Sequence, residues 1–178
     1  GLKKVRLMGH SFGGLLAAEL AAQRRAAIEK LVLIAPIGLW RPDAPYTCAS
    51  WCALGPEEIM ATLFHDPNHP RVVRRMTPPA GEEAAARWQV EFIWTLGCTA
   101  KLIWPIPDKG LRKRIHRVSA PSLVVWGEND KLIPPVYAQE FGRALPNGEV
   151  HMLPACGHEP PLDQMEALRD KVTSFLAA

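Results

Sequence analysis

The chain has 178 residues, 48% of them hydrophobic and 22% charged, with a net charge of +3 at pH 7. That profile suits one globular domain with a sizeable core and excludes a disordered polar chain; no apolar run is long enough to span a membrane as a helix. The basic run from Lys109 to Arg117 carries no interleaved aromatics and reads as a solvated face with Ile115 and Val118 turned inward, so neither nucleic acid nor a membrane is expected as a partner.

In chain order, Lys4 to Met8 reads as a short strand, followed by the Gly-rich turn Gly9-His10-Ser11-Phe12-Gly13-Gly14. Leu15 to Arg25 is rich in strong helix formers and ends in cations, which suit a helix C-terminus. Leu31 to Ile34 is a continuous apolar run of strand length, ended by Ala35 and Pro36. Strand, helix and strand in this order imply a parallel crossover. Ser122 to Trp126 repeats the pattern, with a helix from Pro135 to Leu145, a last strand from Glu149 to Leu153, and Leu162, Met165, Leu168, Val172 and Phe175 at helical spacing behind it. The expected fold class is α/β, a parallel sheet with helices on both faces.

Nearly ninety residues separate Ile34 from Ser122, far more than a crossover needs. Pro56 to Phe64 opens with Pro and two acids, as helices do, and Glu82 to Leu96 reads as a second helix. Trp40, Trp51, Trp88, Trp94 and Trp104 all fall in this stretch, and several are expected to face the strand ends. Residues 40–109 therefore read as an inserted helical cap, followed by a return helix near Gly110 to Arg117. Residues 1–39 and 110–178 form the core, whose N-terminal strands are expected to lie upstream of Gly1.

Other residue types supply little. Cys48, Cys52, Cys98 and Cys156 form no CxxC pair and read as reduced thiols of a cytoplasmic protein. His65 and His69 stand four apart, but Pro67 between them breaks the helix a metal site would need, so they read as loop histidines. No metal and no cofactor is called for.

Three sites carry chemistry. In Gly9-His10-Ser11-Phe12-Gly13 a strand turns into a helix, which sets Ser11 at the apex of the turn. Gly9 and Gly13 keep the turn clear, Gly14 allows close helix packing, and the Phe12 N–H at the helix start can meet a developing oxyanion. The pattern Gly-x-Ser-x-Gly alone arises by chance on the order of once in twenty chains of this length, so its strand-to-helix context decides. A phosphate loop would need a lysine that is absent. Asp130 lies just past a buried strand and suits the acid that orients a histidine, against the alternative that it only caps the next turn; Glu128 is the competing carboxylate. His158 follows the last strand in Gly157-His158-Glu159-Pro160, where a ring can swing over the strand ends. His10 and His151 are poorer bases, one inside the turn and one inside a strand. Ser11, Asp130 and His158, each after a separate strand and in this order, make a nucleophile, acid and base.

These motifs, with Gly127-Glu128-Asn129-Asp130 and Ile133-Pro134, resemble the cap-bearing α/β-hydrolases. The resemblance implies an eight-stranded sheet of which this chain holds the last four strands, and a serine enzyme rather than the aspartate-based dehalogenases and epoxide hydrolases. It looks closest to carboxylesterases, lactonases and hydrolases of ring-cleavage products. The expected activity is hydrolysis of an ester-type bond in a small apolar or aromatic molecule through an acyl-enzyme. Carbon–carbon hydrolysis by the same triad is the alternative, and a non-catalytic ligand receptor on this scaffold is a third. The family's second oxyanion donor comes from a loop after its third strand, which this chain does not include.

Overall fold

The computed structural model describes residues 3–46, 54–103 and 108–178. Strand β1 (Val5–His10) runs into helix α1 (Phe12–Gln23), a 3-10 turn at Arg25–Ala27 and strand β2 (Ile28–Ile34). Strand β3 (Ser122–Gly127), helix α5 (Val136–Ala144) and strand β4 (Gly148–Leu153) repeat the motif, and helices α6 (Pro160–Asp163) and α7 (Met165–Ala177) end the chain. Between β2 and β3 lie α2 (Pro56–Leu63), α3 (Pro70–Met76) and α4 (Glu82–Ile103).

Among the described residues the four strands form one sheet in the order β1-β2-β3-β4, parallel throughout. Side chains alternate across each strand, so β2 and β3 supply two cores at once. Leu31, Leu33, Val124 and Trp126 pack under α1 and α5, beside Leu15, Ala18, Tyr137 and Phe141. Val32, Ile34, Leu123 and Val125 face the other way, onto Leu168 of α7, with Val172 and Phe175 against them. The α/β class with helices on both faces is thus observed, and continuous apolar runs mark the two strands that are covered twice.

Three elements differ from the sequence expectation. The return helix at 110–117 is instead a pair of 3-10 turns, Leu111–Lys113 and Ile115–Arg117. They bury Leu111, Ile115 and Val118, while Arg114 pairs with Glu19 of α1 at 2.8 Å, so the segment is anchored by several side chains in turn. The terminal helix is broken at Gln164 (φ −136°, ψ 51°), which splits α6 from α7. α3 was not foreseen; Pro70 opens it and His69 caps it, its Nδ1 accepting from Arg71 N–H at 3.3 Å. His65 and His69 lie in the connection before α3, as expected of loop residues.

The tryptophans also differ. Trp94 is 72% exposed on α4, in a stripe with Val90, Ile93 and Gly97, and α4 packs closely on no other described element. Trp88 stacks on Phe92 of its own helix at 5.3 Å, and Trp40 packs on Tyr46 at 4.4 Å. Trp51, Trp104, Cys48 and Cys52 lie outside the described residues.

Candidate active site

β1 ends at His10 and α1 begins at Phe12, leaving a single residue for the reversal. Ser11 makes it at φ 52°, a conformation costly for any residue with a side chain and found where the surroundings enforce it. The enforcement is visible: Ser11 N–H donates to Ile34 O at 2.9 Å, and Ser11 O accepts from Gly14 N–H at 3.0 Å and Leu15 N–H at 3.2 Å. Gly9 is obligatory, because a Cβ there would run into the Gly13 carbonyl. Gly14 lets α1 approach Pro36, whose Cβ would lie 2.7 Å from an added methyl. Gly13 differs from expectation: a Cβ there would meet nothing within 4 Å, so the turn does not need it to be bare. Among the described residues the Phe12 N–H has no acceptor, which leaves it free beside Ser11.

Asp130 stands three residues beyond the end of β3 and is buried. Its Oδ1 accepts from Leu132 N–H and Ile133 N–H, both at 2.9 Å, so it does cap the turn. Its Oδ2 is left for His158 Nδ1 at 2.8 Å, so one carboxylate both caps the turn and binds the ring. Glu128 is exposed. His158 Nε2 lies 3.0 Å from Ser11 Oγ. A carboxylate only accepts, so Nδ1 carries the hydrogen and Nε2 presents its lone pair to the Ser11 hydroxyl. The ring ends of three separate strand exits meet at this one histidine.

The electrostatics favour a charged imidazole more than its burial would. Desolvation alone lowers the His158 pKa, but the Asp130 charge, the hydrogen bond His158 donates to Asp130 and the charge of Glu159 together hold it above its ordinary value. His10 moves the other way: burial lowers it, Glu159 opposes this and His158 adds to it. His10 Nε2–H donates to the backbone carbonyl of His158 at 2.8 Å, and the two rings lie 5.1 Å apart. Cys156, two residues before His158, is buried, and its thiol is pushed up to about 12, chiefly by burial and then by Asp163, so it is no competing nucleophile at neutral pH.

Sequence reasoning brought Ser11, Asp130 and His158 together and missed what holds the His158 loop. His158 N–H donates to Leu63 O at 2.8 Å at the exit of α2, and Asp163 accepts from Gly157 N–H at 2.6 Å. An acid five residues past a candidate base, just after two consecutive prolines, was the available signal.

Comparison with known proteins agrees with this architecture. The model of the alpha/beta hydrolase family matches residues 1–171. The chain belongs to that family. As an α/β-hydrolase it is 25% identical, over 189 aligned positions, to the sn-1-specific diacylglycerol lipase ABHD11 of Mus musculus, covering 99% of this chain and 60% of that protein. It is 26% identical to the pimeloyl-(acyl-carrier protein) methyl ester esterase of Vibrio atlanticus, over 97% of this chain and 70% of the relative. The 2-hydroxy-6-oxo-6-phenylhexa-2,4-dienoate hydrolase from Rhodococcus superposes with a TM-score of 0.77 at 18% identity, covering all of this chain and 66% of that one, which speaks for the fold alone. This α/β-hydrolase chain thus spans some 60–70% of the length of these relatives.

Proposed function

We propose that this α/β-hydrolase chain carries a serine-hydrolase site in which Ser11 is the nucleophile, His158 the base and Asp130 the orienting acid. The observation that supports it is the two-sided hydrogen bonding of His158, 3.0 Å to Ser11 Oγ and 2.8 Å to Asp130. As Ser11 Oγ attacks a carbonyl carbon, His158 Nε2 takes its proton and Asp130 stabilises the imidazolium. The oxyanion would receive the Phe12 N–H, a free donor at the start of α1. His158 then returns the proton to the leaving oxygen, and water, deprotonated in turn by His158, releases the acyl group from Ser11. No step calls for a metal or a cofactor.

The substrate proposed is a small apolar or aromatic ester, with residues 40–109 acting as a cap above the site. Support for ester chemistry comes from the methyl ester esterase and the lipase among the relatives. A second reading, carbon–carbon hydrolysis of a ring-cleavage product, is favoured by relatives such as the 2-hydroxymuconate semialdehyde hydrolase of Pseudomonas putida, 24% identical over 99% of this chain. Both readings use the same three residues and differ in the bond cleaved.

The experiment is competitive turnover. Purified protein is given p-nitrophenyl butyrate and, separately, 2-hydroxymuconate semialdehyde, with Ser11→Ala as control. Ester turnover lost in Ser11→Ala supports the first reading, and selective loss of the dienoate chromophore supports the second. Ester turnover that survives in Ser11→Ala would exclude Ser11 as the nucleophile.

A further inference from the structure

We propose that Asp163 is a positioning residue for His158, a buried latch that ties the His158 loop to the exit of α2. The proposal rests on the reading of His158 as the base.

One oxygen of Asp163 joins two backbones: Oδ2 accepts from Gly157 N–H at 2.6 Å and from His65 N–H at 2.9 Å. Gly157 precedes the candidate base, and His65 follows the last turn of α2. Asp163 itself is buried, and its Oδ1 is buried with no hydrogen-bond partner among the described residues. Burying a carboxylate is costly unless its hydrogen bonds are strong, so these two bonds are what offsets the cost, and both act to hold the loop on α2.

The loop has no regular structure of its own to hold it. Ala155 sits at φ 48° and Gly157 is pressed so close to α2 that a Cβ would lie 2.6 Å from Leu63 O and 2.8 Å from His65 N. On its other side Cys156 O accepts from Asn129 N–H at 2.8 Å, and Gly127 is bare where a Cβ would strike the Cys156 and Gly157 carbonyls. The segment is threaded between the exit of β3 and the exit of α2, with Asp163 closing the α2 side. The His158 ring must reach two partners 2.8 Å and 3.0 Å away, and its aim follows from the backbone of residues 156–158. A displacement of about 1 Å at such a site costs on the order of 10²-fold in rate.

The test uses Asp163→Ala and Asp163→Asn in the protein, checked as folded by thermal unfolding. Two readouts follow: the rate of Ser11 labelling by a fluorophosphonate, resolved into probe affinity and reaction step, and the NMR resonance of the His158 Nδ1–H proton. The latch predicts that Asp163→Ala slows the reaction step about 10–10²-fold with probe affinity unchanged, and broadens the Nδ1–H signal. Asp163→Asn keeps an oxygen for the two N–H groups and recovers to within about threefold, since a neutral acceptor bonds more weakly. A folded Asp163→Ala with wild-type labelling and an intact Nδ1–H signal would overturn the proposal. So would Asp163→Asn as impaired as Asp163→Ala, which would mean charge rather than the latch. If Asp163→Ala does not fold, Asp163→Glu takes its place: it keeps the charge and moves the oxygen, so slowed labelling supports the latch and wild-type labelling overturns it. If the wild type itself does not label, the reading of Ser11 fails, and the Nδ1–H signal still decides the latch.

Discussion

At Ser11 the chain accepts a positive φ to aim one hydroxyl, and the neighbouring glycines divide that work unequally. Gly9→Ala should destabilise the protein by about 1–3 kcal/mol or more in chemical denaturation, because its Cβ would overlap the Gly13 carbonyl. Gly13→Ala should stay within about 0.5 kcal/mol of wild type, because nothing lies within 4 Å of its Cβ. The Gly-x-Ser-x-Gly pattern made the turn legible in the sequence, but only the packing separates the glycine that the turn requires from the one it tolerates. At Asp130 the sequence pointed to a turn cap and to a partner for His158, and one oxygen caps the turn while the other binds the His158 ring. His158 adds a pH dependence. The base must be neutral to act, and the Asp130 charge outweighs burial to hold its pKa above the ordinary imidazole value, so Ser11 labelling should rise with pH through a midpoint above about 6.5. Asp130→Asn removes that charge and leaves burial, so the His158 midpoint, followed by NMR, should move below 6.5, and the labelling rate should fall by on the order of 10⁴. A midpoint unmoved by Asp130→Asn would show that the pair is not coupled.

Among the elements, those covered on two faces were read most closely. β2 and β3 bury successive residues in opposite cores, and their apolar runs announce it. α3 was hidden because Pro67 and Pro70 punctuate the stretch, and the second proline, which reads as a breaker, opens the helix. The 110–117 segment carries helix-like residues, yet its anchors Leu111, Ile115 and Val118 fix it as two tight turns. Among the described residues β1 stands at one end of the strand order, and Met8 on it is 59% exposed.

Across the whole molecule, the three residues singled out by motif converge because a parallel sheet delivers every strand's carboxyl end to the same edge. Ser11 leaves β1, Asp130 follows β3 and His158 follows β4, and two hydrogen bonds join the three. Of the support beneath His158 only the Asp163 side chain was open to a sequence reading, because Leu63 O and His65 N–H are backbone groups of the insertion and leave no mark in a sequence. No helix among the described residues is long and apolar enough to cross a membrane. The central claim is that Ser11 is a nucleophile activated by His158. Its most direct test is reaction with a fluorophosphonate followed by intact-mass and peptide mass spectrometry. The prediction is one adduct per chain, on Ser11, absent from Ser11→Ala and strongly slowed in His158→Ala; an adduct on another residue, or equal labelling of Ser11 in His158→Ala, would contradict it.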